Sequence, residues 1–362
     1  MLRANGGGNS PDAAEALNAL AILLESKKDP AAAQECYWEA LAIRRANLRE
    51  GRGDLELVPA INNLACSLLR SRNLAEAETL HKEGLGIAQR YLPIGHPQRT
   101  TLTTSLSSVL LNNGKSEEAE RLAREASAAA ARELAIGDVA RSELLFNLMR
   151  VLLVEEKYEE AETLVRETLV ARRADLAADH PSIRDALVRL TQVGVAYRSG
   201  GRFEDAERVH RELVALSTEL YGEEDYLVAQ SLTNLANAIS DRGDALMKAG
   251  NIDAALAAQE ESLECNARAI KLTPNPIMQN NLGFGYLGLG RIYRENGRAE
   301  EARVAWGKAL ETIVSVLEAP EAEKFPPQML VAFWDTQAQA LLELGRVEEA
   351  KPIVAKLLEK GW

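Results

Sequence analysis

Leu152-Leu153-Val154-Glu155-Glu156-Lys157-Tyr158-Glu159-Glu160-Ala161-Glu162-Thr163-Leu164 sets two apolar helical faces on either side of a short polar turn, with a small residue, Ala161, one turn into the second face. A small side chain there lets two helices approach closely, so the stretch reads as an antiparallel helical hairpin. The same arrangement recurs at Ala33, Ala77, Ala119, Ala206, Ala255, Ala302 and Ala350. Successive anchors stand 44, 42, 42, 45, 49, 47 and 48 residues apart. A period in that range, with two helical patterns per period and no strand-like alternation, predicts a solenoid of helix pairs.

Twelve residues before each anchor stands a second, usually small residue: Ala21, Ala65, Ser107, Gly194, Gly243, Gly290 and Ala338, with Met149 the exception. One residue earlier come Leu20, Leu64, Leu106, Leu148, Val193 or Leu289, and nine before the anchor come Leu24, Leu68, Leu110, Leu152, Tyr197, Tyr293 or Leu341. These offsets share one helical face and predict the seam against the second helix.

The small-and-bulky pattern resembles the tetratricopeptide repeat, most closely at Leu289-Gly290 with Tyr293 and at Gly194 with Tyr197. The longer period, the Asn63-Leu64-Ala65 type of first helix, the Glu-Ala-Glu second helix and the His-Pro turns look more specifically like kinesin light chain repeats. The resemblance covers roughly Pro11 to Lys360. It implies an all-α fold, an α-solenoid wound as a right-handed superhelix of about eight antiparallel helix pairs. The hairpins are expected at about 11–50, 55–92, 97–136, 139–178, 181–221, 225–273, 276–318 and 328–360, after a flexible linker over residues 1–10 that holds Gly6-Gly7-Gly8.

In hairpins six and seven, Asn234-Leu235-Ala236 and Asn281-Leu282-Gly283 carry the first-helix signature seven residues too far from the anchor. Seven residues are about two helical turns, so the insertion lengthens the first helices and keeps the apolar face in phase. The second helix after Ala255 also runs long, to Leu272. A protruding ridge, a dimer contact and neutral drift all remain open as reasons.

Composition excludes several classes. Apolar residues make up 46% of 362 and charged residues 27%, which fits a folded chain with a solvated surface. A net charge of −12 argues against nucleic acid or an anionic membrane as partner, because those surfaces need clustered Lys and Arg. No run of 18 apolar residues is present, so membrane insertion is not expected. Cys36, Cys66 and Cys265 show neither paired nor metal-type spacing and read as reduced thiols in a cytoplasmic protein.

Candidate chemical motifs fall to structural readings. Gly283-Phe284-Gly285-Tyr286-Leu287-Gly288 matches the phosphate-cradling spacing but lies inside a helical pattern, where its glycines permit close helix contact. Ser116, after Gly114-Lys115, is expected to cap a second helix. His96-Pro97 and His180-Pro181, with Asp54, Asp138 and Asp225 in the corresponding places, are expected to cap first helices, Pro being tolerated at the opening position. Paired glutamates such as Glu159-Glu160 sit where the helix dipole favours negative charge. No catalytic residue, metal ligand or cofactor site is expected; the chain does not read as an enzyme.

The informative stripe runs along the first helices at 15, 11 and 8 residues before the anchor: Asn62, Cys66 and Leu69; Thr104, Ser108 and Leu111; Phe146, Arg150 and Leu153; Thr191, Val195 and Arg198; Leu287, Arg291 and Arg294. Fourteen before stand the amides Asn63, Asn147 and Gln192, and in the upstream register of the long helices Asn234, with Asn237 one turn on, and Asn281. Asn offers a donor and an acceptor to a peptide unit, and Arg grips a carboxylate through two parallel hydrogen bonds. Arg70, Arg150, Arg198, Arg291 and Arg294 make this stripe basic in an acidic chain, unless they pair with the abundant Glu. The resemblance implies that the stripe lines a concave groove. The expected role is a protein-interaction module or adaptor holding a peptide or helix of a partner, with an acidic segment as the candidate ligand. The alternatives are a sensor or inhibitory arm of a larger signalling protein, and a self-assembling scaffold that forms a homo-oligomer.

Overall fold

The structure, a computed structural model, describes residues 10–48 and 52–361. The linker expected at residues 1–10 falls, Ser10 apart, outside the described residues. Among those described there are sixteen α-helices and no strand. They are α1 (Pro11–Ser26), α2 (Pro30–Ala46), α3 (Val58–Arg70), α4 (Leu74–Tyr91), α5 (Pro97–Asn112), α6 (Ser116–Glu133), α7 (Val139–Val154) and α8 (Tyr158–Asp175). They continue as α9 (Pro181–Ser199), α10 (Phe203–Tyr221), α11 (Tyr226–Lys248), α12 (Ile252–Leu272), α13 (Pro276–Glu295), α14 (Ala299–Leu317), α15 (Pro327–Glu343) and α16 (Val347–Glu359). The chain is an all-α solenoid of consecutive helix pairs. It divides into two compact units, Met1–Ala186 and Leu187–Trp362.

Every hairpin turns in the same way. The residue five before the anchor has positive φ, at Lys28, Arg72, Gly114, Glu156, Gly201, Gly250, Gly297 and Gly345. The next amide reaches back to close the turn, as when Lys157 N donates to Leu152 O at 2.9 Å and Arg298 N to Tyr293 O at 2.8 Å. This is the left-handed C-terminal closure that glycine adopts without strain. It also satisfies the first helix's orphan carbonyl. The second helices start without a side-chain cap from α4 onward, while α2 is capped by Asp29, whose Oδ1 accepts from Ala32 N at 3.2 Å. Ser116 therefore does not cap α6; it is the first residue of the helix, after Lys115.

First helices other than α3 and α15 are capped from the side chain. Asp138 Oδ1 accepts from Ala140 N at 2.8 Å, Asp225 Oδ1 from Leu227 N at 2.8 Å, His96 Nδ1 from Gln98 N at 3.3 Å and His180 Nδ1 from Ser182 N at 3.2 Å. Asp54 departs from this pattern. It lies in a 3-10 turn, Arg52–Leu57, that precedes α3, and it meets Tyr91 Oη at 3.5 Å instead of capping the helix.

The seam follows from matched side-chain sizes. All eight anchor alanines are buried. The residue four after the anchor packs onto the small residue twelve before it: a Cβ built on Gly194 would lie 2.6 Å from His210 Nε2, and one on Gly290 would lie 2.2 Å from Trp306 Nε1. The corresponding buried pairs are Ala21 with Tyr37, Ala65 with His81 and Met149 with Val165. The bulkier Met149 thus stands opposite the smaller Val165. Leu20 breaks the expected pattern at 44% exposure, because no earlier described helix covers that side of α1.

The long elements are where the inserted turns placed them: α11 has 23 residues, α12 has 21 and α13 has 20. Gly285 lets α13 close on α12, with Gln259 Nε2 donating to Gly285 O at 2.8 Å and Leu263 packed beside it. The glycine-rich motif is therefore helix packing, as its context implied.

On the outer side, second helices are tied to their neighbours by ion pairs: Arg45 with Glu83, Lys82 with Glu118 and Arg124 with Glu160 in the first unit, and Arg211 with Glu261 in the second. Glu78 is the best-held carboxylate. Burial alone would raise its pKa, but hydrogen bonds from Lys115, Lys82 and Asn113 outweigh this and hold it at about 2.

Candidate functional site

The first helices present an open face whose register differs from the expected stripe. Exposed residues fall 18, 14, 11 and 7 before the anchor, a spacing of four, three and four that keeps to one side of a helix. On α7 this face runs Glu143, Arg150 and Val154; on α9, Val188, Gln192, Val195 and Ser199; on α13, Phe284, half-buried Arg291 and Glu295. Positions 15 before the anchor are buried in α7, α9 and α13. Phe146 is 6% exposed beneath the Arg172 guanidinium, and Leu287 and Thr191 are buried as well.

Asn147 is also buried, at 4% exposure. Its Nδ2 donates to Ser107 Oγ at 2.9 Å, and its Oδ1 accepts from Arg150 Nη2 at 2.9 Å. Phe146 and Asn147, expected to line the groove, are therefore packing residues. A ligand cannot reach either without moving α7.

The arginines mostly have partners. Arg70 pairs with Glu25 of α1, Arg198 with Asp241 of α11 at 3.5 Å, and Arg294 with Glu343 of α15. Each bond joins one first helix to the next first helix in its unit, so the basic stripe is largely neutralised by carboxylates on the same face. Arg291 donates to Gln339 Oε1 at 3.3 Å and lies 5.8 Å from the centre of the Phe284 ring.

Arg150 is different. Its Nη2 also reaches Thr104 O, at 3.4 Å, but no carboxylate stands within ion-pair distance among the described residues. The side chain reaches solvent, yet the surrounding helices desolvate it and lower its pKa. A guanidinium so placed retains unused donors and an uncompensated charge.

The amides divide into two groups. Asn63 Nδ2 donates to Asn18 Oδ1 at 2.9 Å, Gln192 Oε1 accepts from Arg189 at 3.4 Å, and Asn62 Oδ1 meets Cys66 Sγ at 3.9 Å. Asn234, Asn237 and Asn281 are half-buried, and their amides take no partner among the described residues. Asn234 and Asn281 stand 21 residues before their anchors, with Asn237 and Phe284 one turn on. Equivalent positions of α11 and α13 thus carry three free amides and a phenylalanine exposed to 47%.

Sequence reasoning missed Phe284, Glu143, Val154, Asp241 and Asp244. Counting back from the anchor by 18 and 7 would have found the first three, and applying the offsets 14 and 11 to α11 would have found Asp241 and Asp244. Burial raises the pKa of Asp241 and Asp244; Arg198 opposes this at Asp241, and Arg291 and Lys248 oppose it at Asp244.

The family model described as tetratricopeptide repeat matches residues 13–48, 60–98 and 187–225. Those three stretches are tetratricopeptide repeats. Among solved structures, it is similar to the kinesin light chain TPR-like repeats of Podosopora anserina, with 22% identity and a TM-score of 0.44 over 63% of this chain and 100% of that one. It is also similar to a tetratricopeptide repeat protein of Parabacteroides merdae, at 16% identity and TM-score 0.43 over 91% and 99% of the two chains. A third is a signal transduction ATPase with a tetratricopeptide repeat sensor from Pyrococcus horikoshii, at 14% identity and TM-score 0.45. That match covers 96% of this chain and 47% of the other, so the chain spans about half of that protein. No curated protein matches the sequence.

Tetratricopeptide repeats suggest a protein-interaction scaffold or adaptor, and their fold is typically a non-catalytic interaction module. Among the described residues, no group of three or more His, Cys, Asp and Glu is placed to hold a metal ion, and no helix is long and apolar enough to cross a membrane.

Proposed function

We propose that this chain is an adaptor that holds an extended or helical segment of a partner protein on the open face of its first helices. The observation that carries the reading is selective pairing. Arg70, Arg198 and Arg294 are neutralised by neighbouring carboxylates, whereas Arg150 is left with unused donors and no counter-charge. In the first unit, that arginine fits a carboxylate of an acidic partner segment through a forked pair of hydrogen bonds. In the second unit, Asn234, Asn237 and Asn281 fit the backbone of a bound segment, and Phe284 fits an apolar side chain of it. The three free cysteines agree with a reducing, cytoplasmic setting.

The test is capture of partners from the native cell by the parent, by Arg150→Glu and by a triple Asn234→Ala, Asn237→Ala, Asn281→Ala variant. Loss of the same captured protein with helical circular dichroism retained supports the reading. Undiminished capture by both variants contradicts it.

A further inference from the structure

Two repeats share an ion pair between second helices, and one later place inverts it. In those two, a cation five residues after the anchor reaches the carboxylate one residue before the next anchor, whereas Trp38 and Gly307 stand at the cation's place in other repeats. Lys82, five after Ala77, meets Glu118 at 2.7 Å; Arg124, five after Ala119, meets Glu160 at 2.6 Å. In the second unit, Arg211, five after Ala206, finds Ala254 at the usual acidic place and pairs with Glu261 instead, at 2.7 Å.

Between α12 and α14 this pair inverts. Glu260 stands five after Ala255, and Glu301 stands one before Ala302, so both places are acidic. Among the described residues, no cation lies within ion-pair distance of Glu260, whose exposed carboxylate only accepts from Tyr293 Oη at 3.4 Å. Glu301 is held from its own turn by Arg298 at 3.0 Å.

At this place a cleft of about 270 Å³ opens, floored by Tyr286, Leu289 and Tyr293 of α13 and walled by Val304 and Lys308 of α14. Val304 is 60% exposed. Both tyrosine rings already face cations, Lys308 at 5.6 Å from Tyr286 and Arg298 at 4.5 Å from Tyr293, so the floor offers aliphatic and aromatic surface, and the complement to a further positive charge comes from Glu300 and Glu301 in the lining and from Glu260 beside Tyr293.

We propose that this cleft takes a lysine or arginine side chain from a partner protein. Its aliphatic stem lies on Tyr286, Leu289 and Val304, and its cation sits at Glu260 and Glu301, the place that the array fills with its own side chain at Lys82 and Arg124. The repeats themselves supply the argument. The carboxylate half of the bridge is kept, the cationic half is replaced by a second carboxylate, and an apolar cleft long enough for a basic side chain lies beside it. The site lies between α13 and α14 beside Glu260 of α12, and it uses none of Phe284, Arg291 and Glu295 on the open face of α13.

The experiment uses the full chain with fluorotyrosine incorporated, the Tyr286 and Tyr293 signals being assigned by Tyr→Phe variants. The probe is Nα-acetyl-lysine methylamide, and Nα-acetyl-norleucine methylamide serves as the uncharged isostere. The lysine probe is expected to shift both signals and to bind at least about fivefold more tightly than the norleucine probe, and Glu260→Gln is expected to remove most of that difference. Glu260→Lys supplies the missing cation from within and abolishes the response, while Arg150→Glu leaves it unchanged. Equal responses to the two probes, or a full response in Glu260→Lys, overturns the proposal. Self-association of the parent that Glu260→Lys abolishes, read by sedimentation, assigns the cleft to a second copy and overturns the assignment to a different partner.

Discussion

Lys28, Arg72 and Glu156 hold the positive φ that Gly114, Gly201, Gly250, Gly297 and Gly345 hold in the other turns. A side chain with a Cβ is strained there by about 1–2 kcal/mol, so Glu156→Gly is expected to stabilise the first unit by about 1 kcal/mol. For a unit of this size that is a rise of about 2–4 °C in melting temperature, readable by calorimetry. A second residue-scale consequence concerns His210. It is fully buried with neither ring nitrogen hydrogen-bonded, and desolvation, aided by nearby Arg198, pushes its pKa down to about 4. Because the folded pKa lies below the unfolded one, the unfolded state binds more protons between about pH 6.5 and pH 4. Stability therefore falls as pH falls through that window, by a few kcal/mol. His210→Leu should flatten that part of the melting-temperature profile relative to the parent. Parallel profiles would contradict the assignment.

Among the elements, the hairpins were legible because packing leaves a strong trace: a small residue at each anchor, a second one twelve before it, and turns of fixed length. The pairing of Gly194 with His210 and Gly290 with Trp306 is the same trace read in three dimensions. Gly290→Ala sets a Cβ at 2.2 Å from Trp306 Nε1 and is expected to cost about 1–3 kcal/mol or more, with loss of near-ultraviolet circular dichroism from Trp306. Combining it with Trp306→Leu should recover part of the loss. The candidate face was less legible. Helical offsets of 15 and 14 differ by one residue, about a hundred degrees of rotation, which is enough to bury Thr191 while leaving Gln192 in solvent. Nothing in the local sequence reveals that Arg70, Arg198 and Arg294 would meet Glu25, Asp241 and Glu343, because those carboxylates lie 43 to 49 residues away on neighbouring helices.

At the scale of the whole molecule, the chain is acidic but not uniformly so. Its first helices carry charge that is partly paired, Arg150 and Arg291 without an ion pair among the described residues, and a set of free amides beside an exposed phenylalanine. This distribution, more than net charge, predicts where a partner segment would lie. Because one charge-assisted pair is involved, binding of an acidic segment at Arg150 should weaken as salt rises, and Arg150→Lys should restore only part of what Arg150→Glu loses. The most direct measurement is site-specific photo-crosslinking in the native cell, with the photoreactive residue placed in turn at Gln192, at Val154 and, on an outer helix, at Val170, which is 69% exposed. The account predicts adducts to one shared partner from Gln192 or Val154 and none from Val170; adducts from Val170 alone would contradict it.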